Sequence, residues 1–262
     1  MGRFGLTAPD LRVRHRQAEL MDAPDLDRRR HVDALTALGR INRVSLTARR
    51  VWAEVRLLER ARGSPGERAD GHESRGEPVG RGGEPARARP LRLLDVACGG
   101  GDVLRSVAAL ARRHRVPVEL HGCDVSPVAL EEARRRAPAL RFFRLDVRAD
   151  SFPGGYDLLC SSLFLHHLAD QEAVQLLRRM KEATAGSLLV EDLRRSRLGY
   201  GLAWLGLRTL TRSDVARTDG LRSVRAAFRL DEARALCARA GLDGVGVRPC
   251  WPQRFTIRWA VP

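Results

Sequence analysis

The sequence predicts a doubly wound α/β fold, with a mostly parallel sheet of seven strands and helices on both faces. From residue 91 onward, short apolar segments alternate with amphipathic segments of about 10–15 residues, as in parallel sheets with crossover helices. Three consecutive glycines, Gly99, Gly100 and Gly101, follow the first apolar segment. A chain of 262 residues, 44% of them hydrophobic, suits one large core better than two independent domains.

The spacing of the apolar residues predicts where the individual strands and helices lie. Strands are predicted at residues 91–96, 118–123, 140–145, 156–161, 187–191, 244–249 and 254–260. Helices are predicted at residues 102–114, 127–136, 170–184 and 230–240. Only a short connection containing a proline separates the last two strands, so we expect them to form an antiparallel hairpin.

The N-terminal part of the chain differs from the rest. Residues 1–25 have the composition of a mobile lead-in, and apolar residues at helical spacing predict one or two helices between residues 27 and 60. Residues 62–90 contain mainly Gly, Pro, Arg and Glu and are expected to be disordered. The predicted division is therefore a helical segment at 1–61, a linker at 62–90 and an α/β domain at 91–262.

The formal charge of +15 raises the question of a nucleic-acid partner. Lys181 is the only lysine, and the arginines are spread over every segment instead of forming one stripe. We therefore interpret the charge as a solvated surface and expect no nucleic-acid partner, although an anionic partner or lipid headgroups stay open as alternatives. No run of 18 apolar residues is present, so no transmembrane segment is predicted.

The cysteines indicate a reducing environment. Their number is odd, and none are spaced as a Cys-x-x-Cys pair. We expect reduced thiols in a cytoplasmic protein, with neither a disulfide framework nor a metal site. The five are Cys98, Cys123, Cys160, Cys237 and Cys250.

The glycine-rich segment 93–102, Leu-Leu-Asp-Val-Ala-Cys-Gly-Gly-Gly-Asp, joins a predicted strand to a predicted helix. Glycines there let a ligand approach the backbone amides at the start of the helix. A P-loop would require Gly-Lys-Ser/Thr, and no lysine is present in the segment. A dinucleotide fingerprint would require Gly or Ala where Leu104 stands, and Asp102 would repel a pyrophosphate.

A ligand that carries positive charge fits this segment better than a phosphate. S-adenosylmethionine has a sulfonium and an ammonium group, for which the carboxylate of Asp95 is suited. Asp95, Ala97, Gly99 and Gly101 resemble the first motif of class I methyltransferases, which has the form D/E-x-G/A-x-G-x-G. This resemblance implies a Rossmann-like fold and S-adenosylmethionine as the cofactor.

Acids at the ends of the next two strands extend the resemblance, because a doubly wound sheet binds its ligand at these strand ends. In the family, the acid at the position of Asp124 accepts the ribose hydroxyls, and the acid at the position of Asp146 faces the adenine amino group. The predicted cofactor-binding residues are Asp95, Ala97, Cys98, Gly99, Gly101, Asp124, Val125, Asp146, Val147 and Ser161.

His166 and His167 follow the fourth strand and are the predicted catalytic residues. Histidine can remove a proton from a phenol near neutral pH, and His167 is slightly favoured as that base. The alternative is that both histidines only pack the loop. Glu191 and Asp192, at the end of the fifth strand, are the second candidates to face the substrate.

The acceptor is predicted from an apolar segment and two further resemblances. Residues 198–210 are apolar on all sides and suit a pocket or lid for a lipophilic or aromatic small molecule. Residues 40–52 resemble the segment that covers the cofactor in ubiquinone and menaquinone methyltransferases. The whole layout resembles bacterial methyltransferases that accompany type III polyketide synthases, which implies a phenolic acceptor.

We therefore expect O-methylation, with C-methylation of a quinone-type ring as the alternative. The His166-His167 pair departs from the signature of the quinone group. A nucleic-acid methyltransferase would carry an Asn/Asp-Pro-Pro-Tyr motif where residues 161–164 read Ser-Ser-Leu-Phe. A non-catalytic protein that keeps the fold is the last alternative, and the intact glycine motif disfavours it.

Overall fold

The computed structural model describes residues 9–23, 25–63 and 89–261. The helices are α1 (Arg28–Val44), α2 (Thr47–Gly63), α3 (Asp102–His114), α4 (Pro127–Arg136), α5 (Asp170–Ala183), α6 (Arg197–Leu210), α7 (Asp214–Ala226) and α8 (Leu230–Arg239). The strands are β1 (Leu91–Val96), β2 (Val118–Asp124), β3 (Arg141–Arg144), β4 (Tyr156–Ser162), β5 (Thr184–Leu193), β6 (Gly246–Cys250) and β7 (Arg254–Ala260). Short 3-10 helices lie at Leu20–Asp22 and Leu165–His167.

The strands form one sheet in the order β3-β2-β1-β4-β5-β7-β6. The first five strands are parallel, whereas β7 runs antiparallel to both β5 and β6. The predicted fold class and the C-terminal antiparallel pair are therefore confirmed. The strand order reverses between β1 and β4, and this switch point is where a doubly wound sheet opens a crevice for its ligand.

The core lies on both faces of the sheet, because buried apolar side chains of the strands pack against helices on each face. Leu94 in β1 and Leu159 in β4 are fully buried and belong to the layer that contains α5 and α8. Val51 and Val55 of α2 pack with Leu93 and α3 on the opposite face. The N-terminal helix α2 thus shares the core of the α/β domain.

The predicted segment boundaries can be compared only in part. Helix α2 extends to Gly63, two residues beyond the predicted boundary at residue 61. Residues 64–88, most of the predicted linker, lie outside the described residues. The division of the chain at residues 61 and 91 therefore stays a prediction.

The lead-in differs from the expectation of a mobile segment, because residues 9–23 pack on the folded domain. The Arg14 guanidinium donates hydrogen bonds to the carbonyls of His166 and Leu168, at 2.8 and 2.7 Å. It also lies 3.6 Å from the ring centroid of Phe228. Leu11 is buried on the same surface. These partners are more than 150 residues away in the sequence, so the local pattern carries no sign of them.

Two local predictions also change. Helix α7 was not predicted, since its buried face consists largely of small residues and its start depends on the Ser213 hydroxyl, which accepts from the backbone of Ala216. Strand β5 begins at Thr184, three residues earlier than predicted. Among the described helices, none combines the length and the apolar composition needed to cross a bilayer.

Candidate active site

The glycine-rich turn between β1 and α3 forms the floor of the site. Gly99 and Gly101 have positive φ angles of 52° and 69°, which glycine adopts without the strain that a side chain would cause. A Cβ on Gly101 would lie 2.9 Å from Cζ of Phe142. Gly101 therefore allows helix α3 to pack closely on β3, whereas the backbone of Gly99 and Gly100 faces the cavity.

A cavity of about 510 Å³ opens at the carboxyl ends of β1 and β2 and at the loop after β3. Eight of the ten predicted cofactor-binding residues line it, and the two that do not are Gly101 and Ser161. The eight are Asp95, Ala97, Cys98, Gly99, Asp124, Val125, Asp146 and Val147.

The prediction for Ser161 differs from the structure. Its hydroxyl is buried and donates to the carbonyl of Val96 at 2.9 Å. Side chains alternate along a strand, so it is the next residue, Ser162, that lines the cavity. The sequence could have separated the two only with the exact register of β4.

Three carboxyl groups, of Asp95, which is buried, and of Asp102 and Asp124, which are half-buried, give this cavity a preference for positive charge. Burial and the neighbouring Asp102 raise the pKa of Asp95 to about 8. Burial also raises the pKa of Asp102 and of Asp124. Within the described part of the chain, none of the three has a cationic side-chain nitrogen within 4.0 Å. A cationic ligand would relieve this repulsion, so the residues present fit S-adenosylmethionine and disfavour a phosphate.

Helix α1 covers the cavity. Leu35, Leu38 and Asn42 line it from above, and the Asn42 amide donates to Oδ2 of Asp102 at 3.2 Å. Among residues 40–52, Asn42 lines this cavity, and the expectation that the segment covers the cofactor stays a prediction. Asp102 and Asn42 were not among the predicted site residues, although the resemblance of residues 40–52 already pointed to that segment.

The two histidines have different surroundings. His166 is buried, and both its ring Nδ1 and its backbone amide contact Asp192, at 2.6 and 2.9 Å. Burial lowers the pKa of His166, but the carboxylates of Asp192 and Glu19 outweigh it and raise the pKa to about 10. His167 is partly exposed to the cavity and stacks on Phe164, with ring centroids 5.8 Å apart.

The lead-in supplies acids to the same histidines. Glu19 Oε1 lies 3.7 Å from Nε2 of His166, and Glu19 Oε2 lies 3.7 Å from Nε2 of His167. Asp22 Oδ2 lies 3.5 Å from Nδ1 of His167. The ligand atoms of Glu19, His166 and His167 are within 4.8 Å of one another, which would suit a metal ion. The carboxylates of Asp192 and Glu19 beside His166 favour its protonated form, and we interpret the cluster as an ion-pair network.

Glu191 and Asp192 do not face the substrate side, contrary to the prediction. Glu191 is buried and accepts hydrogen bonds from Arg254, Thr47 and Arg50, at 2.6, 2.8 and 2.6 Å. The carboxylate of Asp192 contacts the ring and the backbone amide of His166. Neither carboxylate lines a cavity, because each is held by side chains that are distant in the sequence.

A second cavity, of about 270 Å³ and mostly apolar, adjoins the first. Leu202, Ala203 and Leu207 of α6 line it, so the apolar helix has the position expected of a pocket wall. Met21, Leu38, Leu163 and His167 line both cavities. His167 therefore lies at the junction between them.

The fold and the acid-rich glycine turn define a class of protein that binds a cationic nucleoside, and the comparisons with known proteins agree. Residues 93–186 match the methyltransferase domain family. This match supports the predicted methyltransferase class over these residues, and the acidic cavity fits the predicted cofactor, S-adenosylmethionine.

Similar proteins include two O-methyltransferases. The chain is 37% identical over 106 residues to a malonyl-[acyl-carrier protein] O-methyltransferase of Halorhodospira halophila, covering 39% of this chain and 34% of that protein. The chain thus spans about a third of the length of that relative. It is 28% identical over 180 residues to a ubiquinone biosynthesis O-methyltransferase of Brucella anthropi, covering 63% of this chain and 67% of that protein. A solved plantazolicin methyltransferase shares the fold, with a TM-score of 0.50 and 16% identity over 67% of this chain and 78% of that one.

Proposed function

We propose that this chain transfers a methyl group from S-adenosylmethionine to a hydroxyl group, best matched by a phenol, on a small lipophilic molecule. The observation that carries the proposal is the position of His167 between an acidic cavity suited to the cofactor and an apolar cavity suited to the acceptor. Residues 91–262 would form the methyltransferase domain and residues 1–61 its helical cover.

The cofactor residues are assigned by their place in the first cavity. Asp95 is assigned to the ammonium group and Asp124 to the ribose hydroxyls, and both carboxyl groups lie at strand ends in the cavity. Asp146 is assigned to the adenine side. The cofactor would supply a methyl group that its sulfonium already activates, so the protein mainly has to align the acceptor and remove its proton.

His167 is the proposed general base. A phenol in the second cavity would give its proton to the His167 ring as its oxygen bonds to the methyl carbon. The bond from that carbon to sulfur would break, and S-adenosylhomocysteine would leave. The carboxylates of Glu19 and Asp22 would stabilise the imidazolium that results. His166, held by Asp192, is a positioning residue that fixes the short helix carrying His167.

The proposed acceptor class follows from the second cavity. Its lining is largely aliphatic, with Ile41, Leu202 and Leu210 among the side chains, which favours a lipophilic ring or chain over a charged metabolite. The two similar O-methyltransferases support transfer to oxygen. The free and mostly buried cysteines support the predicted cytoplasmic location.

The test uses the full chain with S-adenosylmethionine labelled at its methyl group. An alkylresorcinol, the same compound with both hydroxyls blocked, a quinone and RNA are offered as acceptors. We expect label only in the free alkylresorcinol, as an O-methyl ether. Label on a ring carbon would instead support C-methylation of a quinone-type ring, and label in RNA would contradict the small-molecule assignment.

A further inference from the structure

An exposed apolar patch surrounds the mouth of the second cavity. Val44 at the end of α1 and Trp251 in the β6–β7 turn both line this cavity and are exposed to solvent, Trp251 by 61%. The outer face of α6 adds Leu198, Trp204 and Leu205, exposed by 61%, 40% and 54%. Large apolar side chains grouped on the surface mark a site of interaction.

The charged residues within the segments that form this patch are all basic. The three segments that form it, residues 40–50, 193–213 and 246–254, contain no Asp or Glu. Their exposed arginines have no carboxylate within 4.0 Å in the described part of the chain. These seven exposed arginines are Arg40, Arg43, Arg49, Arg197, Arg208, Arg212 and Arg248.

Helix α6 is apolar on two sides. Leu202, Gly206 and Leu207 face the cavity, so the outer leucines and Trp204 are not needed to close it. The Arg208 guanidinium lies 4.0 Å from the ring centroid of Trp204. An exposed tryptophan beside arginines and leucines is the combination that inserts into the headgroup region of a bilayer.

We propose that this surface docks on an anionic phospholipid bilayer, with α6 and the Trp251 turn at the level of the headgroups and the second cavity open to the lipid. The arginines would contact the phosphates, and the leucines and tryptophans would enter the boundary with the acyl chains. The inference deepens the proposed function, since a lipophilic acceptor would pass from the bilayer into the cavity without crossing water.

The surface is tested with the full chain and vesicles that contain neither cofactor nor acceptor. Partition is measured by co-sedimentation with vesicles of phosphatidylglycerol and phosphatidylcholine, and with phosphatidylcholine alone. We expect binding to the anionic vesicles, and its loss at about 1 M salt, where the Debye length falls to about 3 Å. We expect far weaker binding to the neutral vesicles.

The matched variants are Leu198→Ser with Leu205→Ser, neither of which lines a cavity, and Leu57→Ser as the control. Leu57 is an exposed leucine of α2, 45% accessible, outside the patch. The double variant should lose about tenfold or more in partition, because burial of apolar side chains contributes to insertion, and the control should bind like the parent.

Equal partition of the parent and the double variant would overturn the inference, as would no partition of the parent at low salt. A dimer in sedimentation velocity that Leu205→Ser dissociates would also overturn it and assign the patch to a second copy of the chain. The vesicle assay contains no acceptor, so its result is independent of the methyl-transfer assay. A protein that docks on vesicles but transfers no methyl group would refute the proposed function alone. A protein that transfers the methyl group but does not dock would refute this inference alone.

Discussion

Replacement of Asp124 by alanine tests the assignment of the cofactor cavity. The carboxylate of Asp124 accepts hydrogen bonds from the amides of Gly99 and Ser126, at 2.8 and 2.9 Å. A carboxylate offers about four acceptor positions, so about two remain for the ribose hydroxyls. Hydrogen bonds to a charged group contribute about 1.5–3 kcal/mol each, and we expect Asp124→Ala to weaken cofactor binding by about 2–4 kcal/mol.

The assay is calorimetric titration with S-adenosylhomocysteine, in which this loss raises the Kd by about 30- to 1,000-fold. Asp124→Asn keeps one acceptor oxygen and should give an intermediate Kd. An analogue that lacks both ribose hydroxyls should bind the parent and Asp124→Ala alike, because the lost contacts are absent from both complexes. An unchanged Kd for S-adenosylhomocysteine in folded Asp124→Ala would refute the placement of the cofactor.

Three further predictions concern the acceptor side and the buried ion pairs. His167→Ala should lower kcat for a phenol by about 100-fold or more while the Kd for S-adenosylhomocysteine stays unchanged, and parent-like turnover would show that this ring is not the base. Glu191→Ala should lower the free energy of unfolding in urea by about 3–5 kcal/mol, because it leaves Arg254 buried without its carboxylate. Adding Arg254→Leu should restore part of that loss, and a double variant no more stable than Glu191→Ala would contradict the explanation. The pKa of His166 is raised from 6.5 to about 10, so its stabilising contribution should be full below pH 6.5 and decline as the pH rises towards 10. Asp192→Asn should flatten this decline in urea titrations between pH 6.5 and 9.5, and an equally steep decline in that variant would contradict the assigned pair.

The parts of the site that could be predicted are those set by local sequence. The glycine turn and the acids at the ends of β1 and β2 are adjacent to apolar strand residues, so their position at one edge of the sheet follows from the fold class. That Gly101 and Ser161 do not line the cavity depends on a finer level of structure. Which residue of a strand or turn faces a ligand depends on register and on close packing, such as that of Phe142 against Gly101.

The predictions for Glu191 and Asp192 differ from the structure because the residues that bind them are distant in the sequence. Glu191 and Asp192 are adjacent, and the strand turns their side chains to opposite faces of the sheet. One therefore binds Thr47 and Arg254, and the other binds His166. No local pattern distinguishes two consecutive acids, since their roles depend on residues up to 144 positions away.

Glu191 and Asp192 connect the end of β5 to the N-terminal segments around the site. Through Glu191, the end of β5 holds Thr47 and Arg50 of α2, shortly after α1, the helix that lies over the first cavity. Through Asp192, the same strand end holds His166, whose free ring nitrogen faces Glu19 of the lead-in. The lead-in, expected from its composition to be mobile, thus brings two carboxylates to the histidines at the junction of the cavities. A truncation that removed residues 9–23 would leave the sheet and the glycine turn in place and would take away the acids that stabilise the proposed base in its protonated form.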